Sequence, residues 1–187
     1  MGLDYPFARE RKAQLPCARS ERALLRPAGF LDLEALQRIE GVCFQRRRFR
    51  KEQLEWVLRN ERALTLVEDD GRRLTGALML LFEGRVCRVL SVAVIPEARR
   101  RELGTRLMLV AEDLAHDRGC STIRLEVSTQ NVGAIELYRT LEYVMDGLLP
   151  GYYSWGEDAF SMHKSLAAPP PPEVASARPT AEQNSMS

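Results

Sequence analysis

Apolar residues recur along the chain in two patterns, and each pattern predicts one kind of element. Short runs rich in β-branched and other apolar residues predict strands over residues 23–26, 63–68, 74–82, 86–95, 122–127, 143–145 and 159–164. Apolar residues spaced three and four apart predict helices over residues 32–43, 49–59, 103–118 and 132–141. Turn signals at residues 69–71 and 83–84 predict that the second, third and fourth strands are antiparallel neighbours.

The order of these elements predicts the fold class. One strand is followed by two helices, three antiparallel strands, a helix, a strand, a helix and two final strands. The helix over residues 103–118 has the clearest buried stripe, and Gly119 ends it. We therefore expect an α+β fold, an α/β layer sandwich, with a mixed, mostly antiparallel central sheet flanked by helices.

Composition divides the chain into one domain and two tails. The 187 residues suffice for a single domain with a core, and 45% of them are hydrophobic. Residues 1–22 are basic and residues 167–187 are rich in proline, and neither segment has enough apolar residues to offset chain entropy. We expect both tails to be disordered and residues 23–166 to form the domain.

Net charge, cysteine spacing and hydrophobicity argue against a nucleic-acid-binding, metal-binding, membrane-spanning or secreted protein. A formal net charge of +1 predicts no general attraction to nucleic acids or membranes. The four cysteines and two histidines show no metal-binding spacing, so we expect no metal and reduced thiols. No apolar run approaches the roughly 18 residues that span a bilayer, and the polar N-terminus lacks the features of a secretory signal. We therefore expect a cytoplasmic protein.

A strand, a basic loop and the strongest helix meet between residues 92 and 106. The free backbone N–H groups and partial positive charge of a helix N-terminus bind phosphates. Arg99, Arg100 and Arg101 add positive charge, and Gly104 permits close approach of the backbone to an anion. The segment predicts a phosphate site, although an ordinary strand-to-helix connection with solvated arginines would have the same pattern.

The second half of the chain contains five short motifs in a fixed order. They are Val94-Ile95-Pro96 with Arg99 and Gly104, Leu125-Glu126-Val127, Asn131 with Ala134 and Leu137-Tyr138, Tyr152-Tyr153, and Glu157-Asp158-Ala159. Through these motifs the chain resembles the GNAT superfamily of N-acetyltransferases over roughly residues 23–166. The closest group is the protein N-terminal acetyltransferases, including the RimI-type ribosomal-protein enzymes. The resemblance implies a GNAT-like fold, acetyl-CoA as the cofactor, and a protein or peptide N-terminal amine as the acceptor.

Two positions depart from the family pattern, which has glycine where this chain has Glu102 and Glu142. Glu102 places a carboxylate near the expected phosphates, where backbone amides and three arginines outweigh it. Glu142 follows the helix over residues 132–141 and is expected in the left-handed C′ conformation, at a cost on the order of 1 kcal/mol. We expect Glu142 to affect stability more than chemistry.

The resemblance assigns the chemistry to Glu126 and Tyr138. Polar and apolar residues alternate over residues 123–128, so Arg124, Glu126 and Ser128 share one strand face. An N-terminal amine with a pKa of about 8 needs only a modest base, the role implied for Glu126. A simple pair with Arg124 is the alternative. Tyr138 is implied to protonate or hydrogen-bond the departing sulfur, with a packed core tyrosine as the alternative.

The resemblance also implies which residues hold the cofactor. Strand backbone would contact the pantetheine arm, and the loop and helix start would hold the pyrophosphate. Asn131 would contact the arm, cap the following helix, or do both. The expected cofactor-binding residues are Val92, Ala93, Val94, Arg99, Arg100, Arg101, Glu102, Leu103, Gly104, Thr105, Asn131 and Tyr138.

On the acceptor side, the resemblance implies that Tyr152 and Tyr153 contact a peptide backbone, with surface aromatics as the alternative. The junction between the first two helices, including Phe44, should face them. Five basic residues lie between Arg46 and Lys51. They form either a solvated face or a site for an acidic or ribosomal acceptor, and nucleic acid would bind only there. A lysine or small-amine acceptor and a non-catalytic acyl-CoA-binding module remain alternatives, and the oligomeric state is open.

Overall fold

The computed structural model describes residues 24–166, which form a seven-stranded sheet with four α-helices. The strands are β1 (Leu24–Pro27), β2 (Ala63–Asp69), β3 (Leu74–Glu83), β4 (Val86–Val94), β5 (Thr122–Ser128), β6 (Val144–Leu149) and β7 (Ala159–Ser165). The helices are α1 (Leu33–Phe44), α2 (Lys51–Arg59), α3 (Leu103–Asp117) and α4 (Val132–Thr140). The tails predicted over residues 1–22 and 167–187 lie outside the described residues.

The sheet is mixed and mostly antiparallel. Its strands lie in the order β1-β2-β3-β4-β5-β7-β6. β4 and β5 run parallel, with α3 as the crossover between them, and the other neighbouring strands of residues 24–166 are antiparallel. The predicted fold class is confirmed.

Helices cover both faces of the sheet. Gly76 of β3 faces α3, where an added Cβ would lie 3.1 Å from Leu103 Cδ2. Met79, three positions further along β3, pairs with Ser91, whose hydroxyl contacts α1. Because side chains alternate between the faces, α1 and α3 lie on opposite sides of the sheet. The largest fully buried apolar side chains of the core are Leu36, Leu54, Leu78, Met79, Leu80, Leu107, Met108, Ile123, Leu125 and Met162.

The sheet opens between β4 and β5 near the middle of both strands. Their parallel pairing ends at Val89 and Leu125, although both strands continue for several residues. At the same point, a register shift against β3 leaves Leu90 as a β-bulge. Residues 90–94 of β4 therefore have a neighbouring strand on one edge only, and their other edge borders the opening.

One strand boundary differs from its prediction by more than one residue, and the other described strand boundaries agree to within one residue. β6 extends to Leu149 instead of ending at residue 145, because exposed residues and a bulge at Asp146 weaken the apolar pattern of this edge strand. β1 ends at Pro27 as predicted, but Pro27 itself is the last residue of the strand, since β1 is the other edge of the sheet and tolerates a missing N–H. The four helices begin and end within two residues of their predicted bounds. No helix of residues 24–166 has the length and apolar character needed to cross a bilayer.

Candidate active site

The loop after β4 and the start of α3 present backbone N–H groups beside three arginines. Arg100 and Glu102 adopt left-handed φ angles of 59° and 58° as the chain turns into α3. The Arg106 N–H donates to the Glu102 carbonyl, so the N–H groups of residues 103–105 have no partner within the helix. The arginines of residues 99–101 are exposed. This segment has the donors and the positive charge that a phosphate needs.

Two arginines near this loop are held by groups other than Glu102. Arg99 Nε donates to the Val94 carbonyl oxygen at 3.1 Å. Arg106 pairs with Glu68 of β2, whose other carboxylate oxygen accepts a hydrogen bond from the Thr75 hydroxyl at 2.8 Å. Glu102 is exposed, and its side chain does not cap α3. The carboxylate of Glu102 therefore does not hold either arginine in place.

Gly104 allows α3 to approach α4 closely. An added Cβ at this position would lie 3.3 Å from Leu137 Cδ2, a contact tighter than side chains normally make. Leu137 precedes Tyr138 on α4, so the start of α3 and the position of Tyr138 are joined by packing. The sequence pattern indicated a role for Gly104 in phosphate approach, and this packing against α4 was not predicted.

Glu126 lies on β5 directly after the last residue that pairs with β4, and its side chain is 7% exposed. Its Oε2 accepts hydrogen bonds from Arg88 Nε at 3.1 Å and Arg88 Nη2 at 2.9 Å. Its Oε1 lies 3.4 Å from Arg124 Nη2, so Arg124 and Glu126 share a face as predicted. The closer partner, Arg88 of β4, was missed, although it is the one charged residue in the apolar run of residues 86–94.

The loop between β6 and β7 places two tyrosines beside this ion pair. The Tyr152 hydroxyl accepts a hydrogen bond from Arg88 Nη2 at 2.7 Å. The Tyr153 hydroxyl donates to the backbone carbonyl of Glu126 at 3.4 Å, and its ring stacks on Trp155 at 4.5 Å. Burial raises the pKa of Tyr153 to about 12, so this hydroxyl is a proton-bearing donor at neutral pH.

Tyr138 lies on α4 with a buried ring, 5.8 Å from the ring of Tyr143. Burial, with a smaller effect of nearby Tyr153, raises the pKa of Tyr138 well above its usual range. Among the described residues its hydroxyl has no hydrogen-bond partner, so the donor is free for a ligand. Asn131 is the N-cap of α4, and its Oδ1 accepts from the Ala134 N–H at 3.3 Å. The N-cap alternative for Asn131 is therefore confirmed.

The junction between α1 and α2 faces the β6–β7 loop, as predicted. Arg47 forms an ion pair with Glu157, and Glu157 also accepts a hydrogen bond from the Ser128 hydroxyl at 2.8 Å. Phe44 is the last residue of α1 and packs partly buried against the core. The other four basic residues of the junction are Arg46, Arg48, Arg50 and Lys51, and all are exposed.

Glu40 of α1 is a buried carboxylate that sequence analysis missed. Its Oε1 accepts from the Ser91 hydroxyl at 2.8 Å, and its Oε2 accepts from the Phe49 N–H at 3.0 Å. Burial raises the pKa of Glu40, although these two hydrogen bonds oppose that effect. The sequence feature that could have revealed it is its position four residues after Leu36, which puts a charged residue on the apolar stripe of the helix. Glu40 fixes the α1–α2 junction to β4 next to the bulge.

An apolar hollow of about 320 Å³ lies between α2 and β4. The bulged residue Leu90 lines this hollow. The next residue, Ser91, points to the same face of the sheet, where its hydroxyl contacts Glu40 of α1. A bulge permits two consecutive side chains to serve one face of a strand. The remaining lining residues are Phe49, Glu52, Gln53, Trp56 and Val57.

These groups surround the opening between β4 and β5. Its closed end is Glu126, and one edge is the β4 backbone of Val92, Ala93 and Val94. The phosphate-type loop of residues 99–105 follows β4, and α4 with Tyr138 follows β5. The chain therefore brings a polar, partly buried carboxylate, the helix that carries Tyr138 and a helix start with unpaired N–H groups to the same opening of the sheet.

Fold and cleft together define an open-sheet α/β protein of the acyltransferase type. The chain belongs to the acetyltransferase (GNAT) family, whose model matches residues 31–143. This finding confirms the family resemblance of the sequence motifs.

Curated relatives agree with this assignment. The chain is 30% identical over 148 residues to the catalytic subunit NAA10 of the N-terminal acetyltransferase A complex of Arabidopsis thaliana, an alignment covering 76% of this chain and 77% of that relative. It is 38% identical over 79 residues to an N-alpha-acetyltransferase of Saccharolobus solfataricus, covering 42% of this chain and 47% of that relative. The alignments with the first three curated relatives span 46% to 62% of those relatives' own lengths.

A solved structure shows the same fold. The ribosomal-protein-S18-alanine N-acetyltransferase from Escherichia coli superposes with a TM-score of 0.70 at 24% identity, covering 77% of this chain and 94% of that one. At this identity the similarity establishes the fold alone.

Proposed function

We propose that the protein is an acetyl-CoA-dependent N-acetyltransferase that acetylates a protein or peptide N-terminal amine by direct transfer. The observation that carries the proposal is the opening of the sheet, which begins at Glu126 and leads to the basic start of α3. A donor with phosphates at one end and a reactive acyl group at the other fits a cleft with that distribution of charge.

The proposed donor site uses backbone more than side chains. The free edge of Val92, Ala93 and Val94 offers strand hydrogen bonds to the pantetheine arm, which is itself amide-like. The N–H groups of residues 103–105 and the arginines of residues 99–101 hold the phosphates. Asn131 keeps its side-chain amide N–H group for the arm while its oxygen caps α4.

In the proposed chemistry, Glu126 acts on the amine nitrogen of the acceptor and Tyr138 acts on the sulfur of the donor. When bound, acetyl-CoA supplies an acetyl thioester, and transfer forms one C–N bond, breaks one C–S bond and moves a proton from nitrogen towards sulfur. Glu126 accepts the amine proton, directly or through water. Tyr138 donates a hydrogen bond to the sulfur, because a phenol is a weaker acid than a thiol and full donation is uphill.

The proposed acceptor enters between the α1–α2 junction and the β6–β7 loop. Tyr152 and Tyr153 line this side beside Glu126, with Phe44 at the end of α1. Relatives named as N-terminal acetyltransferases support an α-amine acceptor. The exposed basic residues between Arg46 and Lys51 favour an acidic or ribosomal acceptor, and nucleic acid would contact the enzyme there. The free thiols of Cys43, Cys87 and Cys120 support a reducing, cytoplasmic setting.

Mass spectrometry of acetylated peptides tests this function. The purified chain is mixed with acetyl-CoA and peptides that carry one internal lysine and either a free or a blocked N-terminus. We expect one CoA released for each acetyl group placed on a free α-amine. Acetylation of lysine in the blocked peptide would instead favour a lysine acetyltransferase. Binding of acetyl-CoA without CoA release would favour a non-catalytic module.

A further inference from the structure

The floor of the proposed acceptor side carries two guanidinium groups and one carboxylate. Arg88 and Arg124 are register partners on the parallel strands β4 and β5. Like charges opposite each other are unfavourable, and Glu126 offsets them by accepting from both side chains. Because one carboxylate serves two guanidinium groups, this cluster has an excess of one positive charge.

The two arginines are more accessible than the carboxylate that holds them. The side chains of Arg88 and Arg124 are 32% and 46% exposed, against 7% for Glu126. Arg88 uses Nε and Nη2 for Glu126 and Tyr152, so within residues 24–166 its Nη1 group has no partner. A guanidinium has five N–H donors in a planar fork suited to a carboxylate. Arg88 can therefore bind an acidic group that arrives from the open side.

Resting on the proposed function, we propose that Arg88 determines acceptor specificity by binding an aspartate or glutamate side chain within the first two residues of the acceptor. The acceptor carboxylate replaces Glu126 Oε2 as the partner of Arg88. Glu126 Oε2 then has free lone pairs and accepts the proton of the acceptor amine. The ion-pair exchange itself changes no covalent bond. The later proton transfer breaks one N–H bond of the amine and forms one O–H bond on Glu126, which then returns the proton to solvent.

This exchange couples recognition to chemistry. An acidic acceptor leaves Arg88 paired throughout, and Glu126 keeps its contact with Arg124, so neither charge is left without a partner. A neutral acceptor leaves Arg88 on Glu126, where Oε2 is already occupied by two N–H donors. The acidic residue should therefore raise kcat as well as lower KM, whereas a distant surface charge would change association alone.

Matched acceptor peptides test the proposal. Peptides with Asp or Glu at position one or two are compared with their Asn or Gln isosteres, using the full chain and acetyl-CoA. We expect kcat/KM to favour the acidic peptide by about tenfold or more, as for a hydrogen bond between charged groups. Arg88→Gln should bring the ratio close to one, with part of the loss in kcat. Arg85→Gln, the same change at the exposed residue just before β4, should keep the wild-type ratio.

The outcomes separate this inference from the proposed function. Acetylation of both peptides at equal rates by the wild type, or an unchanged ratio in folded Arg88→Gln, would overturn the role of Arg88 and leave the function standing. Acetylation of neither peptide would overturn both. If Arg88→Gln does not fold, Arg88→Lys keeps the charge beside Glu126 but loses the planar fork. Its ratio should then fall below the wild-type value, and an unchanged ratio would contradict the exchange.

Discussion

The two glutamates that replace family glycines both have a left-handed backbone conformation. Glu102 has a φ of 58° and Glu142 a φ of 66°, both in the left-handed region that favours glycine. At Glu142 the geometry is that of a Schellman motif, with Tyr143 N–H donating to the Tyr138 carbonyl and Glu142 N–H donating to the Arg139 carbonyl. The left-handed position was predicted for Glu142, and the structure adds Glu102.

Replacing either residue with glycine should stabilise the fold. Glu142→Gly and Glu102→Gly are each expected to raise the free energy of unfolding by about 1 kcal/mol, because they relieve left-handed strain. Glu102→Gly should also leave acetyl-CoA affinity equal or improved, since it removes a carboxylate near the proposed phosphates. Denaturant unfolding and binding titration measure these effects.

The control for this prediction is Glu136→Gly, an exposed position with ordinary helical geometry in α4. It should destabilise by about 1 kcal/mol, the usual cost of glycine inside a helix. Destabilisation by all three variants would contradict the strain argument. Much weaker acetyl-CoA binding in Glu102→Gly would show that the carboxylate has a positive role.

The buried carboxylate of Glu40 predicts a pH-dependent stability. Burial raises its pKa in the folded state, so its favourable contribution is present below the unfolded pKa of about 4.3 and is lost as pH rises through the folded value. In a pH series from about 4 to 8, Glu40→Gln should therefore gain stability relative to the wild type as pH rises above the unfolded pKa. Melting temperatures across this range test the sign, with Glu34→Gln on the exposed side of α1 as control. A difference that shrinks as pH rises would contradict it.

At the scale of elements, the contact between α3 and α4 links the proposed phosphate site to Tyr138. Gly104→Ala would place a methyl group 3.3 Å from Leu137 Cδ2, so the Leu137 side chain or the spacing between α3 and α4 must give by a few tenths of an ångström. We expect a loss of about 1–3 kcal/mol of stability, typical of overpacking, together with reduced turnover. Thermal unfolding and initial rates measure both.

Gly133→Ala is the matched control, because it lies in α4 and an added Cβ there meets nothing within 4 Å. It should stabilise the helix by about 0.5–1 kcal/mol. If Gly104→Ala behaves like Gly133→Ala, the close approach of the two helices is not required.

Periodicity predicted the elements well wherever one face is buried. The stripe of α3 and the apolar run of β4 fixed both elements to within one residue of their bounds. β6 was predicted to be only three residues long. Val144 and Leu148 are exposed at the edge of the sheet, so apolar and polar positions there do not follow which face is buried. An edge strand is defined by its neighbour, here β7, and that pairing is not local.

At the scale of the whole molecule, the site depends on contacts that sequence cannot place. Glu126 and Tyr138 were identified through family motifs, but Arg88 reaches Glu126 only because β4 and β5 run parallel across a crossover. Glu40 lies on the apolar stripe of α1, but only the fold places the Ser91 hydroxyl against it. The opening begins at the bulge of Leu90, a register shift between strands that no local pattern reveals.

The central claim is that Glu126 acts on the incoming amine and Tyr138 on the outgoing sulfur. Glu126→Gln keeps shape but removes the proton acceptor, so its defect should be largest at low pH, where few acceptor amines are neutral. Tyr138→Phe keeps the buried ring and removes one hydroxyl, so acetyl-CoA affinity should change little. Its defect should shrink with an acyl donor whose thiol leaves more easily.

The most direct measurement is the rate of CoA release from pH 6 to 9 for wild type, Glu126→Gln and Tyr138→Phe, with a peptide that has a free N-terminus. We predict that Glu126→Gln loses most activity at pH 6 and partly recovers above about pH 8, the pKa of the acceptor amine. Tyr138→Phe should be slower by about 10²-fold, with little change in acetyl-CoA affinity. Normal turnover by both folded variants across this range would contradict the assignment and leave the two side chains as packing and ion-pair residues.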